Sequence, residues 1–218
     1  MVIVDICGTL YDSNTTFDFL DYYVRTRGYR RFRALSRTTA WKIGNKLLFR
    51  IFRYDLTRVI AISFLKGKSR EELYAAARYF SDNILSPKAY TAVHRLIQDM
   101  RERQRRVVLV SATLDIIAEV VANQFRLSEW HASRLVYDEK GICLGRLATD
   151  LLAGKHVFLE CIGITIPYEL TVTDNISDCD LLRHSDACII VSKPRNISRW
   201  HRIIRKENFQ HYTIISVD

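Results

Sequence analysis

The amino-acid sequence predicts an α/β protein in which a long helical insertion follows the first strand of a parallel sheet. Over residues 104–218, short β-branched apolar runs alternate with helical patterns. Alternation of this kind gives right-handed β-α-β crossovers and a parallel sheet. Residues 15–103 instead carry apolar side chains at spacings of three and four, which are typical of helices. We therefore expect a core of residues 1–14 and 104–218 and a basic helical cap of residues 15–103.

The first strand is predicted at residues 2–6, a short apolar run that meets a tight loop at Gly8. Helical spacing then continues from about residue 13 to residue 102. Within this stretch Pro87 indicates the start of one more helix before the core resumes, because proline is favoured in the first helical turn.

The remaining elements alternate along the second half of the chain. Strands are predicted at residues 107–110, 133–137, 142–147, 170–173, 187–191 and 212–217. Helices are predicted at residues 114–125, 155–162, 177–184 and 197–206. The turn at residues 138–141 lies between two strand runs and indicates a β-hairpin.

Composition limits the class of protein. An apolar content of 48% with three prolines and eight glycines excludes a disordered or collagen-like chain. No uncharged apolar run approaches the roughly 18 residues of a membrane span, and no signal peptide is expected. The five cysteines are scattered without a C-x-x-C pair, so neither a disulfide framework nor a zinc site is indicated. We expect a cytoplasmic protein.

Positive charge is concentrated in one segment. The chain has a formal charge of +9, yet residues 21–106 hold 21 basic and 7 acidic residues, a net of +14. Residues 28–53 hold eight Lys and Arg and no acidic residue, with aromatic and aliphatic side chains between them. Two interpretations stay open: amphipathic helices with a solvated basic face, or peripheral contact with an anionic membrane or a phosphorylated lipid. No nucleic acid is expected, because no recognised binding motif accompanies the charge.

Chemistry-bearing residues follow three of the predicted strands. Asp5, Ser111 and Asp174 come at strand ends, and Lys155 begins the helix before the third of these strands. Ligand sites of open parallel sheets lie beyond the carboxyl ends of the strands. Carboxylates gathered there repel one another unless the lysine or a divalent cation compensates them, and oxygen ligands favour Mg²⁺.

These residues resemble the motifs of the haloacid dehalogenase (HAD) superfamily, whose members are mostly phosphatases. Residues 5–10, Asp-Ile-Cys-Gly-Thr-Leu, resemble its first motif; Ser111 resembles the second, Lys155 the third, and Asp174 with Asp178 the acidic fourth. The hairpin and the helical insertion after the first strand are similar to the phosphoserine-phosphatase-like subfamily IB. The resemblance implies a Rossmann-like three-layer core and a hydrolase acting on a phosphorylated small molecule or a lipid phosphate.

The resemblance also implies a role for each residue. Asp5 would attack phosphorus and form an aspartyl-phosphate. Mg²⁺ would lie between Asp5, the backbone carbonyl of Cys7 and Asp174, and Lys155 would orient the nucleophile and offset developing charge.

Further residues would hold the phosphate and the surroundings of the metal. Ser111, Ala112, Gly8 and Thr9 would bind the phosphate, with help from the N-terminus of the following helix. Asn175 and Asp178 would support Lys155 or a metal-bound water.

Each assignment has a structural alternative. Asp5 would then belong to an ordinary turn, Lys155 would be a solvated surface residue, and Asp174 or Ser111 would cap a helix. Capping and phosphate binding use the same N–H groups, so they do not exclude each other at Ser111.

Cys7 departs from the family pattern, which usually has a second aspartate there as general acid and base. A neutral thiol is a poor substitute, and general acid–base catalysis is typically worth about 10²–10⁴-fold. Thr173 and Asn175 are milder departures. The sequence favours a slow or specialised phosphatase over a catalytically weakened binding module. Dehalogenase-type members also lack this aspartate, but they work without metal and do not keep the acidic ligand that Asp174 represents.

Overall fold

A seven-stranded sheet forms the core of the computed structural model, which describes residues 1–152, 154–164 and 166–218. Its strands in chain order are β1 (Val2–Val4), β2 (Val107–Leu114), β3 (Trp130–Tyr137), β4 (Cys143–Thr149), β5 (Tyr168–Thr173), β6 (Ser185–Ser192) and β7 (Tyr212–Ser216). Their order across the sheet is β4-β3-β2-β1-β5-β6-β7. Every pair is parallel except the hairpin of β3 and β4. The predicted α/β class is confirmed.

Helices cover both faces of this sheet. Those that follow β2 along the chain are α7 (Asp115–Phe125), α8 (Lys155–Cys161), α9 (Cys179–Arg183) and α10 (Pro194–Glu207). Along β1, Val2 and Val4 pack into one hydrophobic cluster while Ile3 packs into another with Leu159 of α8. Successive side chains of a strand point to opposite faces, so the core has three layers.

Six α-helices lie between β1 and β2, in the segment that we call the cap (residues 15–103). They are α1 (Thr15–Tyr23), α2 (Arg27–Ser36), α3 (Thr39–Phe52), α4 (Leu56–Ser63), α5 (Arg70–Phe80) and α6 (Thr91–Glu102). A π-helical turn and a 3₁₀ turn containing Pro87 join α5 to α6. That the cap is a domain of its own stays a prediction. Among the described residues, no helix combines the length and apolar character that crossing a bilayer requires.

The hairpin of β3 and β4 contacts the cap through backbone hydrogen bonds. The Gly67 amide donates to the Cys143 carbonyl at 2.9 Å, and the Cys143 amide donates to the Lys68 carbonyl at 2.7 Å. Gly145, at a φ of +69°, approaches α4 so closely that a Cβ would lie 2.8 Å from the Ser63 carbonyl oxygen. A side chain there would force the hairpin away from the cap.

Three boundaries differ from the predicted ones in the region of the site. The first strand, predicted at residues 2–6, ends at Val4, so Asp5 lies just beyond its end. The strand predicted at residues 107–110 continues to Leu114, because the polar side chains of Ser111 and Thr113 find hydrogen-bond partners inside the protein. The helix predicted at residues 177–184 begins instead as a 3₁₀ turn, Ile176–Asp178, before α9.

Candidate active site

Three neighbouring strands bring the predicted residues to one edge of the sheet. β1 lies between β2 and β5 and runs parallel to both, so their carboxyl ends meet. Asp5 follows β1, Ser111 lies within β2, and Asp174 follows β5. Asp5 and Ser111 are buried, with exposed fractions of 3% and 0%. The edge therefore holds a polar cluster inside the protein.

Lys155 lies between two buried carboxylates. Its Nζ atom is 2.9 Å from Asp5 Oδ1 and 2.7 Å from Asp178 Oδ2. Burial alone would lower the pKa of Lys155, but the charges of Asp178 and Asp5 outweigh it and raise that pKa above its ordinary value. Lys155 is 4% exposed, which removes the alternative of a solvated surface lysine. An ammonium group in this place is permanently charged at neutral pH.

Asp178 is held from a second side by Thr173. The Thr173 hydroxyl donates to Asp178 Oδ2 at 2.7 Å and accepts from the Asn175 amide at 3.0 Å. Asn175 in turn caps the 3₁₀ turn, because its side chain accepts from the Ser177 amide. Asn175, rather than Asp174, therefore caps this turn, so the capping alternative for Asp174 does not apply there.

Asp5 Oδ1 is a buried acceptor without a hydrogen bond. Lys155 approaches it within ion-pair distance but outside hydrogen-bonding geometry, and Oδ1 has no hydrogen-bond partner among the described residues. Burial raises the pKa of Asp5, and Lys155 opposes that effect. The ion pair with Lys155 compensates the charge of Asp5, while Oδ1 keeps lone pairs that no donor in the described part of the chain uses in hydrogen-bond geometry. Its position fits an atom that ligates a cation or reacts with a substrate.

Asp174 packs directly against the loop that follows β1. The Thr9 hydroxyl donates to Asp174 Oδ1 at 3.0 Å, and the Asp174 amide donates back to Thr9 Oγ1 at 2.9 Å. Gly8 has a φ of +74°, and a Cβ on it would lie 2.3 Å from Asp174 Oδ2. Burial, reinforced by the charge of Asp5, raises the pKa of Asp174 to about 7. Only glycine allows the loop to approach this carboxylate so closely.

These carboxylates fit a divalent cation. Asp5 and Asp174 repel each other, and each has a raised pKa, so a cation between them would relieve the repulsion. Side-chain carboxylates and a backbone carbonyl are ligands that suit Mg²⁺. Over the part of the chain that the structure describes, no group of three or more His, Cys, Asp and Glu side chains forms a metal site.

The Cys7 side chain is occupied by local hydrogen bonds. Its thiol donates to the Ser13 carbonyl at 3.4 Å and accepts from the Thr15 amide at 3.2 Å. Burial and the charge of Asp5 raise the pKa of the thiol to about 11. The group is therefore neutral at pH 7, as the sequence argument assumed. The Thr15 hydroxyl in turn donates a hydrogen bond to Thr113 Oγ1 at 2.7 Å.

Ser111 lies inside β2 and does not cap α7. α7 begins at Asp115, preceded by Leu114, and no side chain caps it by a hydrogen bond. Ser111 Oγ accepts from the Thr113 amide at 3.3 Å. Of the remaining phosphate-binding candidates, Ala112 is adjacent to Ser111 in the chain. Ser111 and Ala112 thus reach the edge from β2, while Gly8 and Thr9 reach it from the loop after β1.

Arg58 of α4 is buried at the site, with 5% of its surface exposed, and was not among the residues predicted from the sequence. Its guanidinium group donates to Thr16 Oγ1 at 3.1 Å, to Asp150 Oδ2 at 3.3 Å and to the Ala112 carbonyl. The signal was available: Arg58 lies four residues before Ile62 on the apolar face of a helix, where an unpaired cation would be costly. Arg58 therefore links the cap to the segment that contains Ser111.

A cavity of about 330 Å³ separates α3 from the loop after β5. Lys42, Lys46 and Phe49 line it from α3, and Leu152, Asn175 and Ser177 line it from the core. Asn175 is adjacent to Asp174 in the chain. The cavity is thus next to the carboxylate edge, which holds Asp5 and Asp174. Its cap side carries two lysines and one carboxylate, that of Asp55, a net positive charge.

Comparison with solved structures shows the same fold in other proteins. A protein of unknown function from Bordetella pertussis Tohama I is 19% identical, with a TM-score of 0.71 over 98% of this chain and 97% of its own. A substrate-bound phosphoserine phosphatase is 16% identical, with a TM-score of 0.59 over 97% and 90%. Cytosolic 5′-nucleotidase IIIB bound to cytidine is 10% identical, with a TM-score of 0.61 over 99% and 80%.

Comparison of the sequence gives the family. None of the curated proteins compared with this chain matches it. The model of haloacid dehalogenase-like hydrolases matches residues 2–183, which include every motif residue at the carboxylate edge. The predicted resemblance is confirmed: the chain belongs to the haloacid dehalogenase-like hydrolases.

Proposed function

We propose that this protein is a Mg²⁺-dependent phosphatase that hydrolyses a phosphate monoester through an aspartyl-phosphate on Asp5. The observation that carries the proposal is the buried Asp5 Oδ1 atom, which lies beside Lys155 without a hydrogen-bond partner among the described residues. The family and the phosphatase neighbours support a hydrolase of this class. In the first step Asp5 attacks phosphorus and the bond to the leaving alcohol oxygen breaks. In the second, water releases inorganic phosphate and restores the carboxylate.

The other residues at this edge orient Asp5 and neutralise the charge of the phosphoryl group. Asp5, Asp174 and the Cys7 carbonyl would hold Mg²⁺, which supplies charge stabilisation for the phosphoryl group when bound. Lys155 favours the ionised form of Asp5 and orients it, because its ammonium group is fixed by Asp178 at 2.7 Å. Ser111 would donate its hydroxyl to a phosphate oxygen, together with the backbone amide of Ala112. The Gly8 and Thr9 amides already donate to the Ser13 and Ile6 carbonyls, so these two residues would shape the phosphate site through the loop.

Because Cys7 stands where the family usually has an aspartate, the departing alcohol oxygen has no efficient proton donor. A thiol with a pKa of about 11 neither protonates an alkoxide efficiently nor activates water at pH 7. Turnover would be slow, or the substrate would carry a good leaving group. The cavity lined by Lys42 and Lys46 supports a substrate whose organic part carries additional negative charge. Both a soluble phosphorylated metabolite and a lipid phosphate meet this description.

The test is a Mg²⁺-dependent screen of phosphomonoesters with wild type, Asp5→Asn and Cys7→Asp. We expect Asp5→Asn to lose turnover and Cys7→Asp to gain it by about 10²-fold or more. The Thr15 amide that donates to the thiol would donate equally to a carboxylate. Asp186→Asn and Cys161→Asp alter exposed residues of the core and serve as controls. Activity that survives Asp5→Asn would remove the nucleophile assignment.

A binding module is the second candidate, favoured by the neutral thiol at Cys7. It predicts that a phosphorylated ligand binds in the presence of Mg²⁺ and is not hydrolysed, even after long incubation. Cys7→Asp would then restore turnover, because the remaining residues of the edge are in place. A dehalogenase is disfavoured, since Asp174 lies against Gly8 in the loop after Asp5, where a metal ligand of a phosphatase is expected.

A further inference from the structure

The outer face of α3 is apolar, although it faces solvent. Ile43, Leu47 and Ile51 follow one another at intervals of four residues and therefore lie on one side of the helix. Their exposed fractions are 64%, 57% and 60%. No residue of α3 is buried. The apolar side of a surface helix normally faces the protein core. On α3, half-buried Trp41 and Leu48 lie on the inner side. Ile43, Leu47 and Ile51 form a second apolar side, which the core does not cover.

The inner face of α3 is fixed to the cap by polar contacts. Trp41 Nε1 donates to Thr57 Oγ1 at 2.8 Å. Asn45 donates through Nδ2 to Asp55 Oδ1 at 3.0 Å and accepts from the Thr57 amide at 3.1 Å. These bonds, together with the packing of the Trp41 ring against Phe32, hold this side of the helix inward. Rotation of the helix to bury the apolar row would break all three.

Positive charge accompanies the apolar row. Lys42, Lys46, Arg50 and Arg53 occupy exposed positions along the flank of the row. None of the four forms an ion pair with any residue that the structure describes, and residues 28–53 contain no acidic side chain. The exposed face is thus cationic as well as apolar.

Exposed apolar side chains are concentrated in this part of the chain. Of eleven large hydrophobic residues that are exposed in the described chain, six fall between residues 35 and 54. They are Leu35, Ile43, Leu47, Ile51, Phe52 and Tyr54. We call Ile43, Leu47 and Ile51 the outer row.

We propose that the outer row and its flanking basic residues bind α3 to the surface of an anionic lipid bilayer. A helix with an apolar row and a Lys/Arg flank lies in the interface plane, with the row among acyl chains and the cations at the headgroups. A protein partner fits less well, because the centres of protein interfaces are depleted in lysine. Nucleic acid would use the cations but not the outer row. The proposal does not depend on the phosphatase assignment.

The test is co-sedimentation of the full chain with vesicles at low salt. We expect binding to phosphatidylcholine vesicles that contain phosphatidylglycerol, little binding to phosphatidylcholine alone, and release as salt rises. Arg50→Gln with Arg53→Gln, which leaves the cavity lined by Lys42 and Lys46 intact, should lower the partition coefficient about 30-fold. Leu47→Gln should lower it roughly tenfold. Circular dichroism of each variant confirms that the fold is unchanged.

Matched controls show whether vesicle binding depends on this face of α3 or on exposed cations and apolar side chains anywhere on the protein. Arg202→Gln with Lys206→Gln removes two exposed cations four residues apart on α10, and Val157→Gln removes an apolar side chain that is 62% exposed on α8. Neither should change vesicle binding. No binding to anionic vesicles, or binding that Leu47→Gln leaves unaltered, would overturn the proposal. So would a wild-type dimer that Leu47→Gln dissociates, since a second copy would then cover the face. Phosphatase activity is measured separately, so the two proposals can fail independently.

Discussion

Two regions of this protein depart from the rule that charged side chains are exposed and apolar ones are buried. The edge of the sheet that holds Asp5 and Asp174 buries charged groups, whereas the outer row of α3 exposes apolar ones. At the edge, Asp5, Lys155 and Asp178 are charged and at most 4% exposed. On α3, Leu47 and its neighbours are apolar and more than half exposed. The charges at the edge have partners within the chain. The outer row has none on its exposed side.

The two regions should therefore contribute differently to the stability of the fold. Buried ions are tolerated because each compensates another, so removal of one partner leaves the other unpaired at high cost. Exposed apolar side chains contribute little to folding, so their removal costs little. The edge should therefore be sensitive to substitution in the isolated protein. The outer row should matter when a binding surface is present.

The largest expected effect is at Lys155. Lys155→Met removes the cation between Asp5 and Asp178 and should lower the free energy of unfolding by about 3–5 kcal/mol, measured by urea denaturation. Lys155→Met combined with Asp178→Asn should recover part of that loss, because one uncompensated charge is also removed. Lys42→Met, at an exposed lysine, is the control. A loss at Lys155 no larger than in this control would show that the edge charges are not coupled as described.

An intermediate effect is expected from the titration of Asp174. Its pKa is about 7 in the folded protein against an ordinary 3.8, so the folded state holds a proton there that the unfolded chain has lost. Without Mg²⁺, stability should therefore fall as pH rises from about 4 to about 7, by up to about 4 kcal/mol. Mg²⁺ should reverse this, since it favours the carboxylate.

Thermal unfolding at pH 5 and pH 8, in chelator and in Mg²⁺, measures the effect. The amide side chain that Asp174→Asn introduces cannot titrate. This variant should therefore lose the fall in stability that wild type shows between pH 4 and pH 7, and it should also lose the stabilisation by Mg²⁺. If this variant keeps the wild-type slope, another group is responsible for it.

The smallest expected effect is at the outer row. Ile43→Gln and Leu47→Gln should each change the free energy of unfolding by no more than about 0.5 kcal/mol without lipid, again by urea denaturation. Leu73→Ala, at a buried position of α5, should cost about 2–5 kcal/mol. Destabilisation by Leu47→Gln comparable to that of Leu73→Ala would mean that the row is packed in solution, and the contrast with the edge would disappear.

The sequence predicted the edge better than the contacts that support it. An apolar run before Asp5 and another before Asp174 specify strands, and the carboxyl ends of parallel strands share an edge. The predicted order of motifs therefore placed the carboxylates correctly. Lys155 begins its helix as predicted, but its burial follows from the packing of α8 beside β2. No local pattern reports such a contact.

The cap was less predictable for a similar reason. Periodicity identifies an apolar row on α3 but does not say which way it faces. That direction depends on Trp41, Asn45 and Thr57, whose hydrogen bonds span 12 to 16 residues. The contact from Arg58 to Ala112 spans 54 residues. It could be recognised in advance only as a cation on an apolar helix face.

Arg58 also has a consequence for the contact between cap and core. Its guanidinium group joins α4 to Ala112 and Asp150 of the core, and it is buried. Separation of α4 from these residues would break the bonds together and leave part of the guanidinium group without partners, which is costly. One side chain of the cap therefore opposes such a separation at two places in the core.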